Sequence, residues 1–398
     1  MYMPISGSEV AIWPLVMIGF CVGVIGGYFG IGGAFMVTPA LNIFGFPMAY
    51  AVGTDMAHVA GKSVVATFRH WRFGHVSIIL ALLMIIGTFP GIEVGAQLIM
   101  WLTKKGIEGS VVRWVYILIL GFLAIYVFKE YFNARKQEKI TGESVKDVVG
   151  TGLSSYIQKT LTVPPVIHCQ MAGIKISAWA VIFIGCITGV VAGFLGVGGG
   201  FLRVPALLYV IGVPTKVAVG TDLFEVMISG AYGGFSYAAK GKVELVAAVI
   251  MLLGAAIGAQ FGTLTTKYVH GLFIRLLFGI TIASACISVT LRQIAWLFER
   301  QYSGVVSKAL SVAGYKADQI RMMMVKTDVM YKWMVEHMQR PDYYSAFYKF
   351  WILREISQYL MLGSAVFLSA VILYFCFKGM ADERRQNVSQ RRPVQKTA

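Results

Sequence analysis

Asp55, His58 and Lys62 stand at positions i, i+3 and i+7 of one apolar stretch, a spacing that places all three on one face of a helix. A carboxylate, an imidazole and an amine in a row can hold or pass protons, and the amine can neutralise an anion. Asp222 and Glu225 repeat the first two positions later in the chain, with Ser229 where the lysine would fall. Arg203 breaks a run that carries no charge from Ile176 to Leu202, and a guanidinium grips oxyanions through paired N–H donors. Just ahead of it lies Gly196-x-Gly198-Gly199-Gly200, echoed earlier by Gly30-x-Gly32-Gly33. The expected anion contacts are therefore Gly30, Gly32, Gly33, Gly196, Gly198, Gly199, Gly200, Arg203 and Lys62, with Thr54 and Thr221 one residue before the aspartates. Asp55, Asp222, His58 and Glu225 are the expected proton-coupling or gating groups. The competing role is structural. Asp55 and Asp222 follow a Gly-Thr and can cap a first helical turn, and Arg203 can lock onto Asp222 or Glu225 as a buried ion pair. No nucleophile–base pair and no metal-ligand set accompanies these residues, so no catalytic residue, metal or cofactor is expected.

The elements that hold them are apolar. Of 398 residues, 57% are hydrophobic and only 14% charged, and the mean hydropathy is +0.70, far from a soluble globular chain. Charge-free runs such as Leu245 to Thr266 match the thickness of a bilayer. The chain reads as an all-α polytopic membrane protein. Its net charge of +16 fits cytoplasmic loops and contact with anionic membrane lipids rather than nucleic acid. Met1 to Val10 holds no Lys or Arg, so the first apolar run is expected to be a retained span rather than a cleaved signal. The five cysteines are scattered and read as small hydrophobes.

The chain also contains itself twice. "IGFCVGVIGGYFGIGGAFMVTPAL" (18–41) aligns without gaps to "IGCITGVVAGFLGVGGGFLRVPAL" (184–207), with 12 of 24 positions identical. "AVGTD" recurs at 51–55 and 218–222, and Gly87, Gly91 and Gly95 return as Gly254, Gly258 and Gly262. Each copy shows about five hydrophobic segments, the second of them short. The expected organisation is a first transmembrane repeat (1–134), a cytoplasmic linker (135–174), a second repeat (175–292), an amphipathic extramembrane or interfacial segment (293–355), a final transmembrane helix (356–378) and a basic cytoplasmic tail (379–398). Seven Lys or Arg in 129–175 and the basic "RHWRFGH" turn place these segments in the cytoplasm with the tail, and the N-terminus outside. An odd number of segments per copy then inverts the second repeat relative to the first, as in many secondary transporters.

Irregular backbone inside a bilayer survives only where it lines a cavity or is buried in protein. The two glycine clusters, each followed by a proline (Pro39, Pro205), read as breaks in discontinuous helices whose free N–H groups suit an anion. The glycines spaced by four read instead as close helix packing. "AGKSVV" (60–65) lacks the upstream glycine of a phosphate loop.

The doubled pattern G-x-x-x-G-x-x-G-x-G-G-[GA]-F, then Pro-Ala-Leu, then Gly-Thr, resembles the TauE/SafE family of sulfite and sulfonate exporters across roughly 11–292. The resemblance implies a secondary transporter of small sulfur-containing anions in the cytoplasmic membrane, not an enzyme. Two departures stand out: Asp55 and Asp222 occupy the position where many members carry Ser, and the 293–398 extension adds a further span. The expected function is proton-coupled movement of sulfite, an organosulfonate or a related oxyanion by alternating access, with a homodimer compatible. The alternatives are transport of another small anion or a metal ion, or a membrane sensor that signals through 293–355.

Overall fold

The computed structural model describes residues 2–29, 34–141, 164–169, 174–265, 268–269, 271–312 and 341–390. The first copy contains α1 (Ile12–Phe29), a short 3-10 turn, α2 (Val37–Ile43), α3 (Met48–Arg72), α4 (Ile78–Lys104) and α5 (Glu108–Thr141). The second contains α6 (Ala178–Leu195), α7 (Gly200–Pro205) running into a π-helical turn (Ala206–Ile211), α8 (Thr215–Ala239), α9 (Leu245–Thr265) and α10 (Gly271–Val312). A final helix, α11 (Pro341–Gln390), packs against α10, α1 and α9. The duplicated turns share their chemistry. Gly45 and Gly212 both take positive φ, at 104° and 85°, and two residues later Pro47 and Pro214 precede α3 and α8. The glycine makes the left-handed bend that a side chain resists, and the proline fixes φ at the entry to the next helix.

Among the described residues, seven helices are long and apolar enough to cross a membrane: α1, α4, α5, α6, α9, α10 and α11. Their outward faces expose large apolar side chains, such as Leu118, Phe122 and Ile125 of α5 and Leu253 and Ile257 of α9, the arrangement a lipid solvent favours. The long helices α3 and α8 fall short of that apolarity, and they carry the ionisable residues singled out above except Arg203, which lies on α7. Their N-terminal halves are buried by neighbours, with α3 packed on α8 and α9, and α8 on α3 and α4, while Phe68 of α3 and Phe235 of α8 stay exposed.

The two copies interlace instead of forming separate bundles. The largest interfaces join α1 to α9 and α4 to α6, so the first helix of each copy lies on the fourth of the other. Glycines make both contacts. Gly19, Gly23 and Gly27 of α1 sit on the backbone of Met251, Ala255 and Ala259, and Gly254, Gly258 and Gly262 of α9 return the contact onto Val16, Phe20 and Val24. Gly87, Gly91 and Gly95 of α4 meet α6 at Ile182, Cys186 and Val190 in the same way. The expected close-packing role of the glycines spaced by four is what the structure shows: any Cβ there would collide with neighbouring backbone. Residue numbers rise together along both pairs, so these helices run parallel.

The contact of α3 with α8 has the opposite sense. Gly53 meets Tyr237, Ala57 meets Gly234 and Ala60 meets Gly230, so these equivalent helices are antiparallel. The fifth helices behave alike, with Arg113 on Gln293, Ile117 on Cys286 and Phe128 on Gly279.

Two features differ from expectation. The segment 135–174 is not wholly linker: α5 continues to Thr141, and β3 (Val166–Cys169) pairs antiparallel with β4 (Ile174–Ser177). A smaller hairpin, β1 (Tyr2–Met3) with β2 (Ser8–Glu9), stands in the same place before α1. The boundary drawn at residue 292 falls inside one continuous helix, α10, and the final span is the middle of the 50-residue α11. Residues 313–340 of the 293–355 segment, including its methionine run, lie outside the described residues.

Candidate transport site

The ionisable residues form two buried clusters, Asp55 with His58 and Lys62 on α3, and Arg203 of α7 with Asp222 and Glu225 of α8. Asp55, His58, Asp222, Glu225 and Arg203 are each wholly buried, and Lys62 is 2% exposed. The glycine loop of the second copy lies against the crossing of α3 and α8: Gly198 faces Val59 of α3 and Val226 of α8, and Gly196 faces Thr38 and Val52. Gly196, Gly198 and Gly199 all take positive φ, a conformation glycine adopts at little cost and other residues resist. The backbone therefore needs glycine there for geometry as well as for space. Gly200 begins α7. Gly30, Gly32 and Gly33 lie outside the described residues.

The aspartates are not first-turn caps of their own helices. α3 starts at Met48 and α8 at Thr215, which puts Asp55 and Asp222 two turns inside. Asp55 instead caps a neighbour. Its Oδ2 accepts from Thr38 N at 3.0 Å and from Thr38 Oγ1 at 2.8 Å, at the start of the half-helix α2. The expected free N–H groups there have a protein partner, and half-helices of seven and six residues sum only a small dipole. Anion capture by the half-helix ends alone is therefore disfavoured. The other oxygen of Asp55 lies 3.5 Å from His58 Nδ1, an ion pair whenever the imidazole is protonated.

In the second copy the aspartate's partner is a cation. Val204 replaces Thr38 in the alignment, Arg203 replaces Val37, and the guanidinium fills the position. Arg203 Nη1 reaches Asp222 Oδ1 at 3.2 Å and pairs with Glu225 Oε2. Nε contacts Thr188 Oγ1 and Nη2 contacts Gly198 O, both at 3.3 Å. Ser229 Oγ donates to Glu225 Oε2 at 3.2 Å. In this conformation Arg203 joins the glycine loop to α8, as the ion-pair alternative expects.

Thr54 and Thr221 do a matched job at the ends of the crossing. Thr54 Oγ1 accepts from Glu244 N, and Thr221 Oγ1 from Ser77 N, both at 3.0 Å. Positions 77 and 244 are equivalent turn residues of the two copies, so each threonine anchors the other copy's turn. The same turns hold the hairpins. Glu244 Oε2 accepts from Ile5 N and Ser6 N at 2.9 and 3.0 Å, and Ser77 Oγ meets Cys169 Sγ at 3.2 Å.

Several buried polar atoms along the crossing have no hydrogen-bond partner among the described residues: Asp55 Oδ1, both ring nitrogens of His58, Ser63 Oγ, Thr67 Oγ1, Asp222 Oδ2 and Glu225 Oε1. A folded chain rarely leaves such groups unpaired, because each costs about 1–3 kcal/mol. Their concentration on α3 and α8 marks a polar seam. Tyr116 of α5 also faces it, donating to Leu195 O at 2.7 Å just before the glycine loop. Sequence reasoning passed over Thr38 and Tyr116. Thr38 differs between the copies, Tyr116 lies in an ordinary apolar run, and neither stands out until the fold brings it to the crossing.

Taken together, the chain is a multi-pass, all-α membrane protein whose two interlaced copies each bury a cluster of charges. The family profile described as "Sulfite exporter TauE/SafE" matches residues 15–289. The chain belongs to this family of membrane transporters. It is 25% identical over 257 residues to "Probable membrane transporter protein YunE" of Bacillus subtilis, covering 62% of this chain and 86% of that protein. It is 26% identical over 268 residues to a "Probable membrane transporter protein" of Xylella fastidiosa, covering 66% and 86%. A third relative, from Methanocaldococcus jannaschii, is 25% identical over 268 residues, covering 62% and 84%. No solved structure matches the chain.

Proposed function

We propose that this protein is a proton-coupled secondary transporter of a small sulfur-containing oxyanion, working by alternating access at the α3–α8 crossing. The observation that carries the reading is the row of unpaired buried polar atoms on α3 and α8 beside the glycine loop. Antiparallel packing of equivalent helices supports copies of opposite orientation, with the N-terminus outside and the tail in the cytoplasm. In such a pair, rocking one copy against the other opens a central site to each side in turn.

The charge balance at the crossing supports coupling to protons. The two buried clusters together hold three carboxylates (Asp55, Asp222, Glu225) and two cations (Lys62, Arg203), so an anion arriving between them meets a net negative charge while His58 is neutral. Uptake of one proton neutralises that balance and a second makes it positive, so proton and anion each favour the other. In this reading His58 and Asp55 carry the proton, and Lys62 with the glycine loop takes the anion. Arg203 holds the loop against α8 until substrate competes for it. Between copies of opposite orientation the symmetric turns at Ser77 and Glu244 serve as the two ends of the path.

The test is flux in proteoliposomes containing only the purified protein. Radiolabelled sulfite should accumulate, and an imposed pH gradient should change the rate. Flux of sulfite that ignores the pH gradient refutes the coupling, and absence of flux for sulfite, sulfate, thiosulfate and taurine refutes the substrate class.

A further inference from the structure

We propose that the second half of α3 carries a proton path between the buried acids and the cytoplasmic end of the helix, with His70 and His75 as its mouth. The route rests on the proton-coupled reading above. It begins beside the glycine loop. Val59, which Gly198 touches, is followed on the same face by Ser63 and His70, at i+4 and i+11, with Thr67 one turn from each. Ser63 is wholly buried and Thr67 is 4% exposed, while His70 and His75 are half-buried. Ser63 Oγ, Thr67 Oγ1 and Nδ1 of both histidines have no hydrogen-bond partner among the described residues. The two rings stand 5.8 Å apart, centre to centre, and His75 N donates to His70 O at 3.1 Å. Helical rise sets successive groups from His58 to His70 about 4–8 Å apart along the axis, a gap that one or two waters bridge.

The duplicated fold does not need hydroxyls or imidazoles at these positions. In the second copy Gly230 stands for Ser63, Gly234 for Thr67, Tyr237 for His70 and Lys242 for His75. Two of the four carry no side chain, and the Tyr237 hydroxyl already donates to Gly193 O. The unpartnered row is therefore a property of one copy. It opens at the end of α3 alone, the cytoplasmic end in the orientation proposed above.

The charges around the mouth suit passage rather than storage. Arg69 of α3 and Lys216 at the start of α8 are the cations that act on the two rings. Arg72 turns onto the Phe68 ring, α9 offers the neutral Gln260 and Thr263 to Arg69, and β3 meets the turn through Cys169 on Ser77. Burial and the two cations keep both imidazoles neutral near pH 7. A neutral imidazole takes a proton on one nitrogen and gives one up from the other, and a hydroxyl does the same through its oxygen. The proton is held deeper, where His58 lies 3.5 Å from Asp55.

Sulfite-driven proton movement tests the route, read with a pH dye trapped in proteoliposomes of the purified full chain and corrected for protein-free vesicles. Exchange of labelled for unlabelled sulfite at equal pH, which needs no net proton, is read alongside. His70→Gln/His75→Gln keeps polar side chains at the half-buried mouth but cannot relay, and His70→Gln alone serves if the double variant does not fold. Proton movement should fall about tenfold or more while exchange stays within about twofold of the wild type. Ser63→Ala/Thr67→Ala, small like its counterparts in the second copy, should lower proton movement likewise. Equal loss of both readouts overturns the proposal, because the residues then serve folding or the anion. Coupled proton movement that matches the wild type in every variant overturns the route alone. A wild type that moves sulfite without protons overturns the coupling reading and the route with it.

Discussion

Replacing Arg203 with Met removes the cation that joins Asp222, Glu225 and the glycine loop. Methionine keeps much of the side-chain volume, so the main loss is charge and donors. Asp222 and Glu225 lie three residues apart on α8, both wholly buried, and each already has one oxygen without a partner. Breaking a buried pair by removing one member costs about 3–5 kcal/mol, because an uncompensated charge is left behind. Two carboxylates lose their cation here, which points to the upper half of that range, a change of about a thousandfold in the folding equilibrium. Thermal unfolding in detergent, followed through the intrinsic fluorescence of the eight tryptophans, should show a clearly lowered melting temperature without any ligand. The triple variant Arg203→Met/Asp222→Asn/Glu225→Gln should recover most of the loss, since neutral amides no longer need a counter-charge. An Arg203→Met protein that melts with the wild type, or a triple variant that recovers nothing, refutes the buried-triad argument. The same assay with sulfite addresses the second role. A ligand at a hundredfold excess over Kd stabilises by about 2.7 kcal/mol, and a variant that keeps the full ligand-dependent shift removes Arg203 from the anion site.

Cysteines introduced at Arg72 and Lys240, equivalent ends of α3 and α8, should react with a membrane-impermeant probe from opposite sides, and one at Arg135 from the same side as Arg72; labelling of 72 and 240 from one side rules out inverted copies. Gly198→Ala should abolish flux and destabilise by about 1–2 kcal/mol from the left-handed backbone alone, with further cost because its Cβ would stand 2.9 Å from Val59 and 3.1 Å from Val226; wild-type flux in this variant shows that the loop tolerates repacking. His58→Gln should leave folding intact but flatten the response of flux to a pH gradient, and an unchanged response assigns the proton elsewhere. Thr54→Val leaves Glu244 N without its acceptor and should cost about 1–3 kcal/mol, read as a lower melting temperature.

The sequence alone determined the membrane setting, the duplication, the broken second segment and the set of ionisable residues. Those follow from local physics. Apolar runs of bilayer length can hardly be anything else, the repeat is visible by alignment, and a charge inside such a run has no cheap explanation. The twin Gly-x-Pro turns before α3 and α8 are equally local, because one residue's φ and the next proline's ring set them.

Only the tertiary structure decided who meets whom. Spacing put Asp55, His58 and Lys62 on one face of α3 but could not tell what that face would meet. Asp55 on that face meets Thr38 of α2, while the opposite side of α3, at Gly53, Ala57 and Ala60, packs antiparallel on α8, where Gly230 and Gly234 let the backbones approach closely. Whether Asp55 would cap its own helix or another's depended on where α2 returns, and Thr38 N settles it at 3.0 Å. Arg203 could bind an anion or a carboxylate by its chemistry, and its partners were fixed by the loop that carries it onto Asp222 and Glu225. Arg113 and Arg292, 179 positions apart in the sequence, share a recess because α5 and α10 pack in opposite directions. A pairing between distant helices has no trace in the spacing of either one, since it is set by how the whole chain excludes lipid and water from its centre.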